Sequence, residues 1–361
     1  MKNTWLFLSL VAVIFFSCKK ENEPDLKEEF DKNAMLTNYA QRVIQPRYEQ
    51  LSVQLSQLQA EIDSFTSVST SQNFSELKEA FRQTYLSWQG VSFIEFGPAD
   101  NYALKAAFNI FPVDTQQINQ NISSGSYVLG SASNISAFGL PAMDYLLNRG
   151  NSETQSLNYF TTADSANRKK YLIDLANQLT TSLNPVANQW ANSYASTFIN
   201  SDGTSQGSSV SNMINALNLD FEKYIRDGKV GIPLGVRSLG TPLPEKSEGF
   251  YGRLSTILLR ESISQLQTYF NGGSGIGLDD YLNHLEAMHG SELLASKINN
   301  QFSAIIQKID LVTSPIGTAV TSNKPAVQEI YNEMQKMVVL LKVDLSSALS
   351  VLITYQDNDG D

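Results

Sequence analysis

Apolar residues recur at helical spacing along nearly the whole chain, and no convincing strand pattern interrupts them. Leu36, Tyr39, Val43, Leu51, Leu55, Leu58, Ile62 and Phe65 mark one face of a long helix, which Pro46 is expected to kink or split. A second helix is predicted over 75–96, with Asn73 or Ser75 as its cap. Leu77, Phe81, Trp88 and Val91 share its apolar side, and Glu95 returns to the centre of that stripe. A carboxylate so placed needs a partner or a proton. The alternative is that Glu95 leans into solvent at the helix end, just ahead of Gly97-Pro98.

Residues 100–137 read as irregular apart from a short helix near 114–122, and loops of that length in a helical protein are functional or disordered. At 138–147 the local chemistry dictates a helix start. Gly139 permits a tight entry, Pro141 suits the first helical position, and Asp144 follows one turn along the same face. Leu172, Leu175, Leu179, Leu183, Trp190, Tyr194 and Phe198 predict a helix over 165–200, kinked at Pro185. The Ser- and Gly-rich run 201–209 is the expected domain boundary.

The second half repeats the plan. A helix over 210–226 ends at Gly228, and residues 229–238 are too broken by glycine and proline to continue it. The next helix, 246–270, has its stripe along Tyr251, Ser255, Leu259, Ser262, Leu266 and Phe270, with Glu248 on the same line. A glycine-rich loop at 272–277 leads to helices over 278–288, 292–311 and 324–353. The pattern predicts an all-α protein: two packed helical bundles, 33–200 and 210–355, forming one compact two-domain unit. A ligand site between them would sit where the broken segments meet.

Composition changes this picture at the N-terminus. After Lys2, the 12 apolar-rich residues 5–16 are too short to span a bilayer and suit a signal peptide. The only cysteine, Cys18, lies just beyond and reads as the lipidated residue of a lipoprotein signal covering 1–18. The alternative is an ordinary cleaved signal that contains a cysteine. Residues 19–32 form a charged tether. The mature protein is therefore expected in the cell envelope, lipid-anchored at the outer membrane on its periplasmic side or at the cell surface. A formal net charge of -10 without a basic cluster argues against nucleic acid as a partner.

Three segments carry a family resemblance: Trp88 with Phe96-Gly97-Pro98, the stretch from Gly139 to Leu147, and Lys229-Val230-Gly231-Ile232-Pro233-Leu234-Gly235. In this order and spacing the chain resembles the imelysin-like family over nearly the whole mature sequence. The resemblance implies an exported, two-bundle helical protein with iron or another divalent metal as a candidate ligand and iron- or haem-uptake components as candidate partners. The family also carries a metallopeptidase label. Its Gly-x-His-x-x-Glu signature falls here on Gly139, Pro141 and Asp144. A His and Glu at that spacing could grip a metal or exchange a proton, and Pro141 can do neither.

The candidate ligand site comprises Glu95, Asp144 and Glu248, which would also be the metal ligands if there are any. Gly139 shapes the helix entry, Trp88 packs beneath, Lys229 or Arg237 supplies compensating charge, and Ser238 and Ser255 complete the contacts. No base partner makes either serine a nucleophile, and Cys18 is committed to the anchor. His284 and His289, the only histidines, point about 140° apart on a helix and suit no shared metal. The acidic end 357–361 starts like a calcium loop without completing one. Gly273-Ser274-Gly275-Ile276-Gly277 follows no strand and reads as a linker rather than a nucleotide cradle. The leading expectation is a non-enzymatic envelope binding protein tied to iron or haem acquisition. A metallopeptidase and a surface interaction module are the competing readings.

Overall fold

The amphipathic stripes become the pairing faces of long antiparallel helices. The computed structural model describes residues 29–355. Helix α1 (Gln45–Ser67) buries Leu51, Leu55, Leu58, Ile62 and Phe65 and packs on α2 (Ser71–Gln89) and α4 (Ser165–Gln189). At one end Phe65, Phe74 and Phe160 meet with ring centroids 5.2 to 6.0 Å apart. Each such side chain contributes about 1.5–3 kcal/mol by leaving water. The short helix α3 (Leu140–Asn148) packs against α4 and is buried along almost its whole length.

The second bundle comprises α5 (Ser209–Leu219), α6 (Ser255–Phe270), α7 (Leu294–Asp310) and α8 (Lys324–Val339). Helix α7 packs on both α6 and α8. The two bundles meet where α2 packs on α6, and the Tyr39 hydroxyl donates to the Tyr269 carbonyl at 2.7 Å. The described chain from Asp31 onward is one compact unit. Among the described residues no helix is long and apolar enough to cross a membrane. Cys18, the signal segment and most of the tether lie outside the described residues.

Several boundaries differ from expectation, each for a local reason. Thr70, rather than Asn73 or Ser75, caps α2 through its hydroxyl, which accepts from the Asn73 N–H at 3.1 Å. That helix stops at Gln89 with Gly90 as its cap, and Val91, Phe93 and Ile94 are buried from a turn instead. Glu95 therefore belongs to no helical stripe. The segment 229–238 does not break the helix: α5 runs on as a π-helix over Asp220–Gly231 and ends with Ile232–Leu234. Helix α6 begins at Ser255, so Glu248 sits in the preceding turn region. A π-helical turn at Tyr39–Ile44 precedes Pro46, and another at Trp190–Tyr194 follows Pro185. Two two-residue strands, Met288–His289 and Glu292–Leu293, pair antiparallel ahead of α7.

Candidate functional site

The start of α3 is built by close approach. Gly139 caps it at φ +84°, where a Cβ would lie 2.6 Å from the Phe108 carbonyl oxygen. Pro141 occupies the second helical position, whose N–H would lack an intrahelical partner anyway. Asp144 is buried and reaches across to the turn before α6. Its Oδ2 accepts from the Tyr251 N–H at 3.0 Å, and its Oδ1 accepts from Gly252 N–H at 2.8 Å and from Asn148 Nδ2 at 3.1 Å. Glycine at 252 is what allows this, since a Cβ there would stand 2.5 Å from Asp144 Oδ1. Burial pushes the Asp144 carboxyl up to about 7, against the downward pull of those three donors.

Beside this contact lies a buried ion pair. Lys229, from the π-helix, donates to Glu248 Oε2 and Gln89 Oε1, both at 2.5 Å, and to the Ser262 hydroxyl at 2.8 Å. Glu248 Oε1 accepts from Asn109 Nδ2 at 2.6 Å and from Gln89 Nε2 at 3.2 Å. The Tyr85 hydroxyl in turn donates to Asn109 Oδ1 at 2.8 Å. Lys229 and Glu248 are 6% and 1% exposed, so the pair holds in place only because every strong donor and acceptor is matched.

Asn109 connects that network to a cleft of about 390 Å³. The short helix Leu104–Phe108 positions three side chains within about one turn. Phe108 stacks on Trp88 with centroids 4.6 Å apart, Lys105 faces the cleft, and Asn109 caps the end. Lys105 donates to Asp220, lies 3.4 Å from Glu95 and sits 4.0 Å over the Tyr224 ring. Burial pulls the Lys105 ammonium down, but Asp220 and Glu95 together outweigh it and hold it above its ordinary value. Burial raises the Glu95 carboxyl, with Lys105 opposing. Ile110, Phe111, Pro112 and Ile232 give the cleft apolar walls.

The expected site residues are thus divided. Lys229 and Glu248 meet directly, and Glu95 faces the cleft, while Asp144 is engaged by the backbone of the turn before α6. Arg237 binds Asp227, a cleft residue, at 3.2 Å. Ser238 donates to the Thr241 carbonyl at 2.6 Å in a turn, and Ser255 is buried at the start of α6, outside the hydrogen bonds of the ion-pair network. Trp88 is fully buried against Phe108, with its indole N–H unpartnered among the described residues. The three acids do not converge. The donor set does not fit a divalent metal: both oxygens of Asp144 already accept from N–H donors, Glu248 is paired with a lysine, and Pro141 supplies no ligand. Among the described residues no group of three His, Cys, Asp or Glu is placed to hold an ion.

Gln89, Asn109, Ser262, Lys105, Asp220 and Tyr224 were not expected. Only Ser262 left a trace, as a hydroxyl inside the apolar stripe of α6. That helix also carries Leu259 and Leu266, both buried.

Comparison with known proteins agrees with this architecture. The model of the imelysin family matches residues 44–343. Iron-regulated protein A of Synechococcus elongatus is 20% identical over 347 residues, covering 90% of each chain. A crystal structure assigned as an iron-regulated protein A precursor from Parabacteroides distasonis superimposes with a TM-score of 0.74 at 16% identity, covering 90% of this chain and 97% of that one. An imelysin-like protein from Psychrobacter arcticum gives 0.71 at 14% identity with the same coverage. The two structures share the all-helical fold, and the family match spans most of the sequence; the chain belongs to the imelysin family.

Proposed function

We propose that this chain is a non-enzymatic binding protein of the cell envelope that serves an iron-related process and takes a small ligand in the 390 Å³ cleft. The cleft itself carries the reading. One wall comes from Glu95 and the segment after Leu104, within 33–200, and the other from the π-helix and Lys246, within 210–355. Asn109, between them, has its amide held on both sides by Tyr85 and Glu248, so the cavity wall cannot relax inward. Support for the iron relation comes from relatives called iron-regulated protein A. Envelope components of iron or haem uptake are the partners this implies. Pro141 and the engagement of both Asp144 oxygens by N–H donors weigh against a metallopeptidase.

Ala106→Trp tests the cleft by placing an indole in it. Native mass spectrometry of protein from iron-limited cells should show a bound small molecule in the wild type and none in the variant. Equal occupancy of both, or chelator-sensitive peptide cleavage by the wild type, would overturn the assignment. Lipidation of Cys18 would hold the protein at the membrane. Cys18→Ser should then move it from the detergent-extracted membrane fraction to the soluble envelope fraction, and retention of the variant in membranes would rule the anchor out.

A further inference from the structure

The charge inside the cleft is opposite to that of the chain. The protein carries a formal net charge of -10, yet the cleft is lined by three lysines (Lys105, Lys223 and Lys246) and two acids (Glu95 and Asp227). Both acids already have cations: Glu95 lies 3.4 Å from Lys105, and Asp227 accepts from Arg237 at 3.2 Å. Lys105 is itself committed to Asp220. Lys223 and Lys246 are different. Among the described residues neither has a carboxylate within ion-pair distance, although both line the cavity, Lys223 exposed at its rim and Lys246 half-buried. Lys223 stands 5.6 Å from the Tyr224 ring. Phe111, Pro112 and Ile232 line the same cavity with hydrocarbon only.

We infer that the cleft selects an amphipathic organic anion, whose acidic group lies against Lys223 and Lys246 and whose apolar body lies on Phe111, Pro112 and Ile232. The inference rests on the cleft being the ligand site. An anion gains two uncommitted ammonium groups next to low-dielectric walls, where their attraction is stronger than in bulk water. A bare metal cation meets the opposite situation: two lysines repel it, and the acids that would bind it are already paired. A neutral molecule gains the walls but leaves the two charges unanswered.

Two probes of one skeleton separate these cases: 8-anilinonaphthalene-1-sulfonate, which is anionic, and N-phenyl-1-naphthylamine, which lacks the sulfonate. Fluorescence titration of the folded, full-length mature protein should give at least about tenfold tighter binding of the anionic probe. Replacing Lys223 and Lys246 together by alanine should lower its affinity about tenfold and leave the neutral probe unchanged. Added sodium chloride should weaken only the anionic probe. Ala106→Trp should abolish both signals, which separates the cleft from exposed apolar surface elsewhere. If both probes respond to Ala106→Trp but bind equally, or if the double variant binds the sulfonate as the wild type does, the anion inference falls and the cleft assignment stands. If neither probe responds to Ala106→Trp, the cleft assignment falls and takes the inference with it.

Discussion

Methionine in place of Lys229 should destabilise the protein by about 3–5 kcal/mol in equilibrium denaturation. The substitution keeps the length of the side chain and removes its charge, leaving the Glu248 carboxyl 1% exposed and without its cation. Asn109 and Gln89 would still donate to Glu248 Oε1, but Oε2 would lose its only hydrogen-bond donor among the described residues, and Gln89 Oε1 would lose Lys229 while keeping Ser262. Adding Glu248→Gln to the lysine variant removes the stranded charge and should recover a large part of the loss. That recovery distinguishes an unpaired charge from a simple packing defect. A single variant within about 1 kcal/mol of wild type would mean that water or a shifted partner compensates, contrary to the matched network. Because Asn109 belongs to both network and cleft, the same variant should loosen the cavity wall.

The second large effect is one of pH. The Asp144 carboxyl, ordinarily near 3.8, is pushed up to about 7 by burial, so between those values the folded protein holds a proton that the unfolded chain has released. Stability contributed by this group is therefore complete below about pH 4 and is lost as pH rises through about 7. At about 1.4 kcal/mol per pH unit the loss amounts to as much as roughly 4 kcal/mol. Asparagine cannot titrate, and its amide would set an N–H against the N–H of Tyr251 or Gly252, a penalty independent of pH. Asp144→Asn should thus be clearly less stable than wild type at pH 4 and approach it by pH 7 to 8. Urea denaturation across that range measures the gap directly. A gap that stays constant would show that Asp144 keeps one protonation state throughout.

The helices were legible because their stripes are long and regular. Leu51, Leu55, Leu58, Ile62 and Phe65 sit where their spacing puts them. The candidate site was legible only where a residue's type was conspicuous, as with the paired Lys229 and Glu248 beside glycine and proline. Glu95 shows how phase reasoning fails: its place on the helical wheel assumed a helix that ends at Gln89. Gln89 and Asn109, and the part Ser262 plays beside them, were hidden for another reason. Such polar residues ordinarily face water, and the partners that bury them are 140 residues away for Gln89 with Lys229 and 173 for Gln89 with Ser262. Nor did periodicity announce the π-helix, because the i→i+5 bonding of Asp220–Gly231 leaves no compositional mark.

That π-helix also decides which genetic changes the site can absorb. Asp220 and Tyr224 reach Lys105 from one side of it, and Lys229 reaches Glu248 from further along. Loss or gain of one codon between positions 220 and 229 would rotate everything downstream by one residue's step around the helix and draw Lys229 off Glu248. A substitution at an exposed position such as Lys223 alters the charge of the cleft but leaves this helical phase unchanged. For this stretch, then, reading-frame length is the inherited quantity: substitutions at its surface keep the helical phase and indels do not, and a redesign that keeps its residues but alters their number would pull the candidate site apart.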